Sequence, residues 1–234
     1  MAEQGSKRYR KAAEQVDAEK TYLLDEAIEI LGRFPRAKFD ETVELSFHLG
    51  VDPRQSDQMV RGTVPLPHGS GKQVRVLVFA KEGTAADAAK EAGAEFIGFD
   101  EMIEKVKGGW TDFDVAVATP EAMAEVRKLG RILGPRGLMP NPKIGTVTDD
   151  TAKAVREVKA GRVEYKVDRG ANLHVPVGKV SFPKEQISEN AKAVVDAVTK
   201  AKPAAVRGTF IRSACLSCTM SPSVHLDVRQ FRNG

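Results

Sequence analysis

Two cysteines in 234 residues are too few for a disulfide-stapled scaffold and point to a reducing compartment. They stand as Cys215-Leu216-Ser217-Cys218, a C-x-x-C spacing with no second cysteine pair to complete a four-ligand zinc site. His225 could add a third ligand, but the chain has only four histidines and the others lie far away in sequence. Positions three apart on a strand point to opposite faces, and no strand-to-helix turn of the thioredoxin kind follows, so shared-metal and redox chemistry are both disfavoured. No apolar run approaches the roughly 20 residues needed to cross a bilayer. The cations of MAEQGSKRYRKAAEQVDAEK precede no apolar core, so the N-terminus does not read as a secretory signal. Nucleotide signatures are missing as well. His68-Gly69-Ser70-Gly71-Lys72 contains Gly-Lys without P-loop spacing, and no G-x-G-x-x-G opens a helix after the strand at 74–79. No Ser-His-Asp order or pair of catalytic carboxylates stands out. What remains is a cytoplasmic soluble protein of ordinary composition, 41% hydrophobic and 29% charged, long enough to bury a substantial core.

Net charge is only +4, so composition does not single out a nucleic-acid partner, but acids are missing from three long stretches. Between Asp57 and Glu82 the charges are Arg61, Lys72, Arg75 and Lys81. Between Glu125 and Asp149 they are Arg127, Lys128, Arg131, Arg136 and Lys143. Between Asp196 and Asp227 they are Lys200, Lys202, Arg207 and Arg212. Local positive regions in a nearly balanced chain are the footprint of a selective phosphate-backbone reader, or else ordinary solvated faces. The second stretch holds GRILGPRGLMPNPKIG (130–145), with four glycines and three prolines around Arg131, Arg136 and Lys143. Such punctuation excludes regular helix or strand and predicts an ordered basic loop, offered to a polyanion or serving as an interdomain turn.

The middle of the chain alternates strand and helix. Strands are predicted at 74–79, 95–98 and 113–118, and helices at 84–92 and 100–107. A third helix runs from Pro120 to about Leu129, with Thr119 as N-cap and Gly130 as its stop. Short connections between alternating elements indicate a parallel, helix-covered, Rossmann-like α/β layer. The flanks differ. A helix at 23–31 carries Asp25 and Glu26 in its first turn, and TVELSFHL (42–49) alternates with period two. Strands at 162–167, 172–177, 208–216 and 224–228 and a helix at 184–201 complete an antiparallel α+β set. The economical architecture is a split α+β domain from both chain ends (1–67 and 160–234), with an α/β domain (68–159) inserted and joined by two glycine- and proline-rich crossings.

On the split domain, Lys38-Phe39 precedes the strand at Thr42, where a cation can reach phosphate and an aromatic can stack on a base or ribose. The other reading of Phe39 is core packing. Ser217-Cys218-Thr219-Met220-Ser221-Pro222 is a turn rich in short donors that could meet 2′-hydroxyls, with Ser221 able to donate to a phosphate or ribose oxygen, or an ordinary hairpin turn.

GRILGPRGLMPNPKIGTVT resembles the bacterial large-subunit ribosomal protein L-one family, the proteins of the mobile ribosomal stalk. So do RAKFDETVE (36–44), DPRQSDQMVRGTVPLPHGSGKQVRVLVFA (52–80), KAGRVEYKVD (159–168), HVPVGKVSF (174–182) and RGTF (207–210), in order from about Lys7 to the C-terminal tail. The resemblance implies the same split arrangement, a non-enzymatic role without cofactor or metal, and a ribosome-associated place in the cytoplasm. It implies direct binding of 23S ribosomal RNA in the large subunit, help in releasing deacylated tRNA from the exit site, and repression of the protein's own operon through its mRNA. Residues matching the family's RNA contacts are Glu26, Lys38, Phe39, Thr42, Ser213, Thr219 and Met220, with Ser221 beside them. The family turn reads Thr-Met-Gly-Pro, where this chain has Ser221 before Pro222, and Cys218 stands where a threonine is usual. Those departures bear on backbone approach at Ser221 and on any hydroxyl contact at Cys218. The same resemblance makes the 130–145 loop a secondary surface. An enzyme or nucleotide-binding protein using the inserted α/β segment is the alternative from another class.

Overall fold

The computed structural model describes residues 5–231, apart from the side chain of Lys143. The chain divides into two compact units, one formed by the residues up to Gly71 with those from Val163 onward, the other by Lys72–Arg162. The first opens with α1 (Lys7–Ala13), α2 (Leu24–Arg33), β1 (Thr42–Leu49) and β2 (Arg61–Pro65). The second contains β3 (Val76–Phe79), α3 (Thr84–Glu91), β4 (Phe96–Gly98), α4 (Asp100–Lys107), β5 (Val115–Ala118), α5 (Met123–Val126), α6 (Gly130–Leu133) and α7 (Thr151–Lys159). The chain then returns to the first unit through β6 (Arg162–Lys166), β7 (Asn172–Lys179), α8 (Lys184–Lys200), β8 (Ile211–Cys218) and β9 (Val224–Leu226).

In the first unit the strands form an antiparallel sheet of order β7-β1-β8-β9, with β2 and β6 paired separately. Period-two patterning in β1 buries Val43, Leu45, Phe47 and Leu49 and turns Thr42, Glu44, Ser46 and His48 outward. The buried side is covered by α2, through Leu24, Ala27, Ile28 and Leu31, and by α8, through Ile187, Ala191, Val194, Val195 and Val198. Each of those larger side chains contributes about 1.5–3 kcal/mol on burial, which fixes α2 and α8 to that face. β8 holds the C-x-x-C pair and is an interior strand of this sheet. Asn190 on α8 is fully buried; its carbonyl accepts from the His68 amide at 3.0 Å, and its amide donates to Gly69 O at 3.0 Å and Val177 O at 2.8 Å. A buried side-chain amide with three partners is costly to disturb, so it ties the segment before Lys72 to the helix layer.

In the second unit β4-β3-β5 is parallel, and every residue of VLVF in β3 is buried, as a strand covered on both faces requires. Val76 and Val78 pack with α3 and α7, whereas Leu77 and Phe79 pack with α4 and the α5–α6 segment. Val147 adds a parallel bridge to Ala118 at the β5 edge. Thr119 does not cap the helix: α5 starts at Met123 with Ala122 as its N-cap, and Thr119 Oγ1 instead accepts from the Ala122 amide at 3.3 Å in the turn before it. Gly130, however, does not stop the helix. It has φ −56°, ψ −28° and starts α6, because Leu129 and Leu133 on either side are buried and their burial outweighs the roughly 1 kcal/mol cost of an interior glycine. The first part of the 130–145 run is therefore helical, a short 3-10 turn forms at Pro142–Ile144, and the rest is loop. Besides α6, three elements lie outside the predicted ones: α1, β2 and α7.

The first acid-free stretch is not an open cationic surface. Arg61 pairs with Glu164 at 2.9 Å, and Lys72 and Arg75 pair with Asp114 at 2.6 and 3.3 Å. Burial opposes ionisation of Asp114, but hydrogen bonds from Lys72, the Arg75 amide and its guanidinium outweigh it and hold the carboxyl below its usual range. Sequence spacing misses these pairs because the acids stand 39 to 103 positions away, Glu164 on β6 and Asp114 just before β5.

Candidate nucleic-acid interface

The register of β1 and β8 sets Val43 opposite Cys218, so Thr42 and Thr219 meet where both strands end. Thr219 N donates to Thr42 O at 3.1 Å, and Thr219 Oγ1 accepts from the Thr42 amide at 3.1 Å. The β1–β7 register shifts between Val43 and Glu44, a bulge of the kind that re-aims side chains at the end of a sheet. Lys179 closes the other side, with Nζ 2.8 Å from Thr42 Oγ1. Two connections leave this end, the loop before Thr42 with Lys38 and Phe39, and the turn after Thr219 with Met220 and Ser221.

Phe39 is 52% exposed, so it does not fill the core, and Lys38 beside it is exposed with no ion-pair partner among the described residues. Met220 is 70% exposed and has φ +62°, the left-handed region that costs a residue with a Cβ about 1–2 kcal/mol. Two exposed apolar side chains beside lysines, one on a strained backbone, form a surface that the fold does not need for its own packing. Ser221 stays out of that surface chemically. Its hydroxyl accepts from the Cys218 amide at 2.9 Å and donates to Cys218 O at 3.0 Å, so the turn itself takes up the group. Its position also shows where the turn bends: positive φ falls on Met220, and Ser221 needs no glycine geometry.

Lys38, Phe39, Thr42, Thr219, Met220 and Ser221 therefore share one end of the sheet. Ser213 does not; it faces outward at the opposite end of β8, across from His48 and about 20 Å from Thr219 at the usual rise per strand residue. The open face between them is polar. His174 bridges Ser46 at 2.9 Å and Glu44 at 3.0 Å, and His48 meets Asn172 at 3.1 Å. Glu26 lies on the helix layer, exposed in the first turn of α2, where its carboxylate accepts from the Leu23 amide at 3.3 Å. In the second unit Arg131 is exposed on α6, Arg136 donates to Thr111 Oγ1, and the side chain of Lys143 lies outside the described residues. The loop is ordered by Thr146, whose hydroxyl accepts from the Asn141 amide at 2.8 Å.

Four residues at the sheet end escaped the sequence reading. Lys179 stands inside HVPVGKVSF but only the register places it beside Thr42. Asp40 accepts from Ser181 N at 3.2 Å and Ser181 Oγ at 2.8 Å, pinning the loop to the turn that follows β7. Glu41 and Arg8 form an ion pair at 2.7 Å, 33 positions apart. No local pattern signals such pairs.

Cys218 points into the first unit's interior, against Val43, Ile28, Leu31 and Ile187. Burial, with the Glu41 carboxylate adding to it, pushes the thiol up to about 12; burial, then Glu44, also raises Cys215. Raised thiols hold little thiolate and react slowly. Iodoacetamide near pH ~8 is thus expected to leave Cys218 unmodified in the folded chain and to alkylate both thiols after denaturation. Mass spectrometry showing fast native modification of Cys218 would mean that this sheet end opens. No cluster of metal-ligating side chains occurs among the described residues, and no described helix is long and apolar enough to cross a membrane.

A sequence profile described as the ribosomal protein L1p/L10e family matches residues 31–222. The Large ribosomal subunit protein uL1 of Protochlamydia amoebophila (strain UWE25) is 55% identical over 225 residues, covering 96% of this chain and 95% of its own. The protein of the same name from Kosmotoga olearia (strain ATCC BAA-1733 / DSM 21960 / TBF 19.5.1) is 54% identical over 222 residues, covering 95% of this chain and 96% of its own. A profile that spans both units and relatives that align nearly end to end leave one conclusion: this chain belongs to the ribosomal protein L1p/L10e family.

Proposed function

We propose that the chain binds 23S ribosomal RNA through the sheet end formed by Lys38, Phe39, Thr42, Thr219 and Met220. The observation that carries this reading is the pair of exposed apolar side chains, Phe39 and Met220, beside Lys38 and Lys179. Lysines attract the phosphate backbone without reading sequence, and an exposed ring offers a stacking platform for an unpaired base. Short hydroxyls and backbone groups between them suit a ribose 2′-hydroxyl, which distinguishes RNA from DNA. Membership of a ribosomal protein family makes the chain a structural component of the large subunit rather than an enzyme, and its place is with the ribosome in the cytoplasm.

From that anchorage the second unit forms the mobile stalk, and Arg131, Arg136 and Lys143 draw deacylated tRNA leaving the exit site. Repression of the protein's own operon follows if a segment of its mRNA offers the same backbone shape and unpaired base, because one surface cannot hold both RNAs. Joining residues 1–71 to 163–234 by a short linker is expected to retain most of the affinity for a 23S fragment, with an unrelated duplex as control. Affinity residing mainly in the isolated 72–162 segment would move the interface to the basic loop.

A further inference from the structure

Glu41 is 3% exposed, yet it belongs to the loop that presents Lys38 and Phe39. One of its carboxylate oxygens accepts from the Ala37 amide at 2.6 Å and from Arg8 at 2.7 Å. Its own carbonyl accepts from Val180 N at 2.9 Å, next to Lys179. The same guanidinium donates through its other terminal nitrogen to Met220 O at 3.3 Å. Arg8 thus reaches both connections at the sheet end, one through a buried carboxylate and one through a carbonyl on a strained turn. It comes from α1, which Ser6 caps and Ala12 anchors in the core, so the arginine is delivered from an element fixed independently of either loop. Lys7, Arg10 and Lys11 on the same helix are exposed, whereas the Arg8 side chain is only 25% exposed, held inward against Glu41.

We infer that Arg8 and Glu41 are positioning residues that hold the Phe39 loop and the Met220 turn in one fixed arrangement for RNA, an inference resting on the RNA-binding function proposed above. An arginine fork can bond two acceptors in fixed directions, which lysine cannot. A buried carboxylate that loses its cation destabilises the loop around it. The loop then becomes mobile, and RNA must order it on binding, which lowers affinity without removing a contact.

The test is titration of the full chain against a transcript of the 23S ribosomal RNA from the same genome and an unrelated duplex, at several salt concentrations. Arg8→Met is expected to weaken the ribosomal RNA complex about tenfold with an unchanged logarithmic salt slope; a phosphate contact would instead lower the slope by about 0.7–0.9. Glu41→Gln is expected to weaken it severalfold, although removing a negative charge near an anionic ligand favours binding by simple electrostatics. In the double variant the two losses are expected to combine to less than their product, because no unpaired carboxylate is left behind. Should Arg8→Met fail to fold in a thermal melt, Arg8→Lys keeps the charge without the fork and is expected to show the same weakening at unchanged slope. A lowered slope, an unaltered affinity or tighter binding by Glu41→Gln overturns the inference while the RNA-binding function stands. An unmodified chain that fails to prefer the ribosomal transcript to the duplex overturns both.

Discussion

Phe39→Ala is expected to weaken binding to the 23S fragment by about 1–3 kcal/mol, the usual loss when a base gives up an aromatic stacking partner. The melting temperature is expected to move by less than about 2 °C, because removing a half-exposed surface side chain changes stability by about 0.5 kcal/mol or less. The two readouts separate because the ring is 52% exposed while its neighbours in the chain, Phe34 and Glu41, are buried. Fluorescence titration and a thermal melt of the same preparation decide it. A large fall in melting temperature with unaltered affinity would mean that the ring stabilises the loop and meets no nucleotide.

Met220→Gly is expected to separate stability from affinity in opposite directions. The residue sits at φ +62°, where glycine is free of the Cβ clash that methionine bears. Relief of that strain offsets the greater flexibility of glycine in the unfolded chain, so folding stability should stay level or rise by up to about 1 kcal/mol. Affinity should fall by up to about 1.5–3 kcal/mol, the value of a methionine side chain taken fully out of water by the RNA. The 70% exposure of Met220 in the free protein makes that burial available. A variant that loses more than about 1 kcal/mol in urea unfolding and binds RNA as before would assign the side chain a structural role.

Elements whose own residues contain the burial pattern were legible from sequence. TVELSFHL predicts and forms a strand over the same residues, since each second side chain had to be apolar to cover one face. DEMIEKVK does the same for α4, bounded by acids at its start and two glycines at its end. The 130–145 run misled because local glycine cost was weighed without Leu129 and Leu133, whose burial depends on the facing strand. α7 carried a readable signal in Asp150, which caps the helix through Lys153 N at 3.0 Å, ahead of Ala154, Val155 and Val158. By contrast, α1 buries only Ala12, and β2 finds its partner β6 about a hundred positions later, so neither has a local pattern to read.

The sheet end was legible to a similar degree. Lys38-Phe39 and the 217–222 turn stood out, but sequence left each with two readings. Exposure resolves Phe39 away from the core, and hydrogen bonding turns the Ser221 hydroxyl inward to its own turn. The meeting of Thr42 with Thr219 depends on a register set by apolar residues elsewhere in β1 and β8, and no motif encodes it. Arg8 and Glu41 were invisible for the same reason.

Amide hydrogen exchange of the full chain, with and without the 23S fragment, tests the central claim most directly. Binding at the sheet end predicts slowed exchange at residues 38–40 and at Met220, with the 134–146 loop unchanged. Protection confined to 134–146, with 38–40 and Met220 exchanging as in the free chain, would contradict it.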